Sequence, residues 1–357
     1  MNVTYYILFS IKNQYKIVKF INSIHLYAIM VKLTLRDYKI LAKLDNNPKE
    51  SFNQIGRNLR LSPSVVERRI KNLIKKEVIR EFKTIINYKR LGWTYYSVYA
   101  RLQDVNENKK KELIDYLKNH PLSGQILQCD GRWQLIYGFF AKDIFQLGEE
   151  LKEFDNKFGD YIKETEKIIH IGSHHYYRGY LLNKEMPHAK EPYLGGPEKL
   201  IKLDEKSIKL LNSIRFNARM NFIELSDLLK INIDQIRYRI KSLIKDNIIL
   251  GYWLQLNPEK LDLYFYRVLF KSKNMSEKNE RNLFNFLNNH KNVIRANKVF
   301  GSWDYFVDLE INAKDFRKFM NNFTNIFSNN IQEYETLIIY DEVKYTFSPV
   351  FPLEING

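Results

Sequence analysis

The sequence predicts an α+β protein in which one two-part unit occurs twice. Each unit opens with three short helices and closes with an antiparallel sheet carrying two helices. Three observations predict this. The chain resembles itself at a constant spacing of 170 residues. Within each copy the apolar period switches from that of a helix to that of a strand. The positive charge gathers in the helical part.

Length and composition set the frame. At about 100–200 residues per domain, 357 residues allow two to four domains. With 45% hydrophobic and 27% charged residues a packed core can form, and wholesale disorder is excluded. Cys129 is the one cysteine, which excludes a disulfide framework and thiolate-rich zinc sites and fits a reducing cytoplasm. The net charge of +16 points to a polyanionic partner. Residues 1–31 are apolar, but Lys12, Lys16 and Lys19 interrupt them. The longest uncharged run, Phe20–Val31, is twelve residues, against about 20 for a membrane span. This stretch is expected to be a poorly ordered extension, or translation from a start upstream of Met30, and no membrane partner is expected.

The repeat is explicit. Lys71-Asn72-Leu73-Ile74-Lys75 returns as Lys241-Ser242-Leu243-Ile244-Lys245, and Arg69-Ile70 as Arg239-Ile240. Asn119-His120 matches Asn289-His290, and Gly131 and Trp133 match Gly301 and Trp303. The expected segments are an extension (1–31), a first helical part (32–90), a first sheet part (91–172) and a linker (173–201). A second helical part (202–260), a second sheet part (261–346) and a tail (347–357) follow. Pro187, Pro192, Gly195, Gly196 and Pro197 mark the linker. Residues 32–90 hold sixteen basic and six acidic side chains, and 91–172 eleven and thirteen. The second unit divides as eleven and seven, then twelve and eleven. Solubility would not require that localisation. A surface that meets a polyanion would.

Thr34 with Asp37 three residues on is a capping-box start, and Ile40, Leu41 and Leu44 give the first helix its apolar face. Ser51 with Gln54 opens a second helix, where Phe52, Ile55 and Leu59 face inward and Gly56 admits a close helix approach. Ser62-Pro63 starts a third, serine as N-cap and proline as first helical residue. Its buried stripe is Val66, Ile70 and Leu73. Ser64, Val65, Arg68 and Arg69 lie largely off that stripe near the helix start, where a helix-turn-helix presents groove contacts. Ser62, Lys71 and Lys75 complete the candidate DNA-binding set on this helix. Val78–Ile86 reads as a wing strand.

The sheet part follows in order. Thr94–Leu102 reads as a strand, Lys109–Asn119 as a helix, Gln125–Gln128 and Trp133–Ala141 as strands around Gly131. Ile144–Phe158 is a helix and Ile162–Ile171 a closing strand. The second unit repeats the order from Tyr264 to Tyr340. The pattern is βαββαβ, ferredoxin-like. One sheet face lies under the helices, and the other is free to meet a partner domain.

Leu61-Ser62-Pro63-Ser64-Val65-Val66-Glu67-Arg68-Arg69-Ile70-Lys71-Asn72-Leu73 resembles the recognition-helix signature of Lrp/AsnC (feast/famine) transcriptional regulators, and Leu33 and Asp37 match that family's first-helix start. The resemblance spans about residues 32–345. It implies a winged helix-turn-helix followed by a ligand-sensing βαββαβ domain, often called RAM, and assembly through the sensing domains. Double-stranded DNA is then the partner, with an amino acid or other small molecule as effector. The sensing domains would form a homo-oligomer or an intrachain pseudo-dimer.

The second copy departs from the signature. Asn232-Ile233-Asp234-Gln235 replaces Ser62 to Val65, and Tyr238 stands where Arg68 does, while Arg237 and Arg239 remain as candidates. This head reads another sequence, binds weakly, or is structural. Gly131-Arg132-Trp133-Gln134 and Gly301-Ser302-Trp303-Asp304 resemble the family's glycine-x-aromatic-aspartate turn, which borders its effector pocket. The resemblance implies effector contacts at Gly131, Trp133, Gly301, Trp303 and Asp304, the carboxylate of Asp304 suiting an ammonium.

Catalytic residues, cofactors and metals are not expected. There is no phosphate-binding glycine loop. His170, His174 and His175 read as exposed linker histidines, and Glu149, Glu150 and Glu153 as a solvated helix face. Two other functions share the pattern: a siroheme decarboxylase subunit, similar in architecture, and an architectural protein coating DNA with little sequence preference.

Overall fold

Each unit begins with a capped three-helix head. The computed structural model describes residues 32–182, 192–196 and 198–353. The N-terminal extension, residues 183–191 and 197 of the proline-containing linker, and the end of the tail lie outside the described residues. In the first head, α1 (Leu35–Asn46) starts at Thr34, whose hydroxyl and Asp37 form a reciprocal capping box. Ser51 and Gln54 cap α2 (Phe52–Leu59) in the same way, and Ser62 caps α3 (Pro63–Lys75) with proline at its start. Gly56 is needed at the α2–α3 turn, since a Cβ there would lie 2.5 Å from the Leu61 carbonyl oxygen. Val66, Ile70 and Leu73 pack with Ile40, Leu41, Leu44 and Ile55 in one small core.

In chain order, α3 is followed by β1 (Ile79–Ile86), β2 (Thr94–Leu102), α4 (Glu107–Asn119), β3 (Ser123–Asp130), β4 (Leu135–Ala141), α5 (Ile144–Phe158), β5 (Ile162–His175) and a short β6 (Tyr193–Gly195). The second head is α6 (Glu205–Ile214), α7 (Phe222–Leu229) and α8 (Ile233–Lys245). Then come β7 (Ile249–Leu256), β8 (Tyr264–Ser272), α9 (Glu277–Asn288), β9 (Val293–Gly301), β10 (Tyr305–Ile311), α10 (Ala313–Ile326) and β11 (Ile331–Lys344). Left-handed backbone recurs at the repeat spacing: Arg60 and Lys230, Glu77 and Asn247, Gly92 and Asp262, Asp104 and Asn274, Gly131 and Gly301.

The two units join through strands. The wing strand does not fold back on its own head. Instead β1 pairs antiparallel with β7, from Ile79 opposite Leu256 to Ile86 opposite Ile249. The ferredoxin-like sheets combine in the order β2-β4-β3-β11-β8-β10-β9-β5, and β5 also pairs with β2, so eight strands close into a barrel. The closing strands explain the closure. β5 and β11 each run 14 residues, against about 5–6 for an ordinary strand. The first half of each completes its own sheet, and the second half pairs with the other unit, β5 with β9 and β11 with β3. Residues 173–175, expected in the linker, therefore belong to β5.

An eight-stranded barrel is just wide enough for side chains to fill it. Here the filling includes Tyr95, Tyr99, Trp133, Phe140, Phe265 and Phe306. It also includes charge. Arg267 grips Asp308 with Nε and Nη2, at 2.7 and 2.9 Å, and donates to Tyr99 and Gln125 of the other unit. Arg295 Nε lies 2.8 Å from the same Asp308. The remaining void is about 40 Å³. Among the described residues, no helix is long and apolar enough to cross a membrane.

Candidate nucleic-acid interface

α3 presents its N-terminal half to solvent because its apolar stripe faces α1 and α2. Ser62, Ser64 and Arg68 are exposed and Val65 is half-buried. The Ser62 hydroxyl accepts from the Val65 backbone N–H and lies 3.1 Å from that of Ser64. Its capping role orients the helix start outward, with the positive end of the helix dipole exposed. Arg68 forms no ion pair among the described residues. Lys71 is exposed and pairs with Glu67 at 2.7 Å, and Lys75 sits in the last turn. Arg57 and Arg60, at the end of α2 just before Ser62, are exposed too. They lie outside the Ser62-Pro63 helix that carries the signature, so the motif alone does not point to them.

Arg69 is placed differently from its neighbour. Its Nη1 donates to Asp37 at 2.8 Å and to the Thr34 hydroxyl at 3.3 Å, and only about a quarter of its side chain is exposed. Burial would raise the Asp37 carboxyl, but hydrogen bonds from Thr34 and Arg69 hold it below its ordinary value. Its guanidinium braces α3 against the start of α1, a contact that Arg68 lacks among the described residues. Arg239 does the same in the second head, donating to Asp204 at 2.6 Å and Ser207 at 2.7 Å. Arg237 is exposed and 3.4 Å from Asp234, and Tyr238 stands out from α8 at 73% exposure. The second head therefore offers one free-facing arginine, partly neutralised, and an aromatic ring.

The two glycine-tryptophan turns lie at the barrel seams. Gly131 and Gly301 have φ of +136° and +143°. A Cβ at Gly131 would meet Leu337 of β11, and one at Gly301 the Lys167 carbonyl of β5. Trp133 and Trp303 are buried, Trp303 donating to Glu166 at 3.0 Å. Asp304 Oδ2 accepts from both the backbone N–H and the hydroxyl of Ser272, each at 2.8 Å. Gln134 Oε1 accepts from Leu102 N at the corresponding place. The aspartate thus braces the turn, and the amide of the first copy does the same without charge.

The histidines are not exposed linker residues. His170 and His175 are buried, bonded to Ser97 at 2.8 Å and to Tyr345 at 3.1 Å. Burial, with Arg267, Lys89 and Arg295 nearby, pushes His170 down to about 3. His174 stacks among Tyr176, Tyr193 and Phe284. The longer β5 carries them into the barrel wall. Nor is Glu150 simply solvated: it lies 3.0 Å from His120, with Glu153 alongside. Cys129 is buried, and burial pushes its thiol up to about 12, away from nucleophilic use.

Known proteins resemble this chain in both its parts. A winged helix-turn-helix DNA-binding model matches residues 33–80 and again 203–249. The HTH-type transcriptional regulator Ptr1 of Methanocaldococcus jannaschii is 32% identical over 117 residues, 33% of this chain and 78% of that protein. An HTH-type transcriptional regulator LrpA of Pyrococcus horikoshii is 27% identical over 125 residues, 35% of this chain and 84% of its own length. The chain belongs to the Lrp/AsnC family. It is a member with the family's two-part unit duplicated, since a relative's length is matched by about a third of it. Among solved structures, a siroheme decarboxylase NirDL shares the fold, with a TM-score of 0.57 and 11% identity over 89% of this chain and 94% of that one. Family membership and this likeness together fix the architecture, and the chemistry must be argued from the residues.

Proposed function

We propose that this chain is a sequence-specific DNA-binding transcriptional regulator in which one polypeptide supplies both reading heads. The observation that carries the reading is α3. It is a Ser62-Pro63-started helix with Ser64, Val65 and Arg68 directed outward and Lys71 and Lys75 behind them, in a head of strong positive charge. Arg68 would read a guanine edge or neutralise phosphate, and the lysines would contact phosphate. The second head contributes Arg237, with Tyr238 in place of a cation, so the two heads make unequal contacts. Effector control fits the family, with Gly131, Trp133, Gly301, Trp303 and Asp304 in the turns at the seams as its candidate contacts.

The test separates two adjacent arginines. In fluorescence anisotropy with upstream and scrambled duplexes, Arg68→Ala weakens binding about tenfold or more, the value of one bidentate base contact. Arg69→Ala instead removes a charge-assisted brace of about 1–3 kcal/mol, and so lowers the thermal midpoint. Equal affinity of wild type and Arg68→Ala for the upstream duplex overturns the assignment. Equal affinity of the wild type for both duplexes favours architectural coating of DNA. The fold likeness over most of the chain supports one second reading, a tetrapyrrole decarboxylase. Absorbance titration with siroheme tests it, and a bound spectrum without DNA affinity would establish it over the regulator.

A further inference from the structure

A cavity of about 730 Å³ lies where the end of α3, the end of α6, strand β1 and the end of β11 converge. It falls within the size range of small-molecule sites. Its walls carry Arg80, Lys83, Lys118, Arg215 and Lys344, against the carboxylates of Glu77, Glu81 and Glu342. These carboxylates are committed elsewhere or outside. Glu81 pairs with Lys83 at 2.8 Å, Glu342 faces Arg295 and Gln255, and Glu77 is exposed.

Of these five cations only Lys83 has an ion-pair partner among the described residues, and Arg215 and Lys344 stand out among the other four. Arg215, which ends α6, is 4% exposed, yet its Nε and Nη1 have no hydrogen-bond partner among the described residues. A buried guanidinium with two idle donors costs free energy unless something meets them. Among the described residues, Lys344 donates only to the carbonyls of Lys118 and His120, at 3.0 and 3.1 Å. Burial, with Arg215 and Lys83 beside it, pushes its ammonium down to about 8. Phe216, under the Arg215 guanidinium at 4.5 Å, supplies an apolar wall, as do Ile74 and Ile79.

We propose that this cavity binds a small phosphorylated molecule, the phosphate meeting the guanidinium of Arg215 and the ammonium of Lys344, and the organic part lying along Phe216 and Ile79. A guanidinium is a directional, charged donor to a phosphate, and a lysine adds a point charge beside it. The ligand would touch both heads and the barrel at once, a place from which it sets head spacing. That consequence rests on the DNA-binding reading, whereas the binding itself does not.

Calorimetry on the full chain without DNA tests it, using AMP and glycerol 3-phosphate as phosphate monoesters and succinate as a dicarboxylate control. Both monoesters bind, and Arg215→Met weakens them about tenfold, the value of a charge-assisted hydrogen bond. The thermal midpoint of that variant holds or rises, because an uncompensated buried charge has gone. Arg215→Lys recovers part of the affinity. Should Arg215→Met fail to fold, Lys344→Met serves, with the same loss expected. The proposal is overturned if neither monoester saturates with a Kd tighter than about 1 mM, if the variants bind unchanged, or if succinate binds equally well. Failure here leaves DNA affinity untouched, and loss of DNA affinity leaves this site untouched.

Discussion

Residue by residue, the two heads solve one problem with exchanged parts. In the first, the N-cap is Thr34 and the third helical residue is Asp37. In the second, the N-cap is Asp204 and the third is Ser207. The arginine of the recognition helix finds a carboxylate either way. The brace at 69 and 239 is legible in the sequence only when the acidic residue is allowed at either cap position. The barrel interior sets its own terms. Removing one partner of a buried ion pair costs about 3–5 kcal/mol, so Asp308→Asn, which leaves Arg267 without a carboxylate, is expected to lower unfolding free energy by that amount in urea titrations. His170 and His175 add an acid limit. Both are held below the free value of 6.5, His170 at about 3. Their contribution is complete above pH 6.5 and is lost as pH falls toward 3, because only the unfolded chain takes up the protons. Chemical denaturation across that range reads the slope, and His170→Gln flattens it.

Elements were legible where caps and periodicity agree. Thr34 with Asp37, Ser51 with Gln54 and Ser62-Pro63 placed three helix starts without error, because a cap is a local hydrogen bond written in adjacent residues. Strand partners were not legible. Val78–Ile86 reads as a strand, but nothing within it says that β7, some 170 residues away, is its partner. The closing strands were cut short at Ile171 and Tyr340 for a similar reason. Beyond those points both strands lose clean alternation at bulges, between His170 and Gly172 and between Ile339 and Asp341. The candidate site divides the same way. Helix capping and outward positions could be read, whereas the cavity at Arg215 joins four distant segments. The seams make an element-scale prediction. Asp341→Pro removes a backbone donor from the stretch of β11 that pairs with β3, opposite Gln128 and past the end of the pairing with β8. Amides of β3 then lose hydrogen-exchange protection while those of β8 keep it.

At the scale of the whole molecule, the two units pair within one chain. The contacts between units, β1 with β7, β3 with β11 and β5 with β9, are the kind an isologous dimer would make, now within one chain. Folding of the barrel is therefore unimolecular. Its thermal midpoint is expected to stay constant over a thousandfold dilution, whereas a barrel made from two chains would lose stability by mass action. Differential scanning fluorimetry at nanomolar and micromolar protein decides this.

Joining the halves also frees them from each other. In a homodimer every substitution appears twice, which ties the protein to palindromic DNA. Here Asp234 and Tyr238 could arise in one head while Ser64 and Arg68 persisted in the other. Such a protein can match a lopsided operator, in which a strong half-site sets the address and a weaker one tunes the grip.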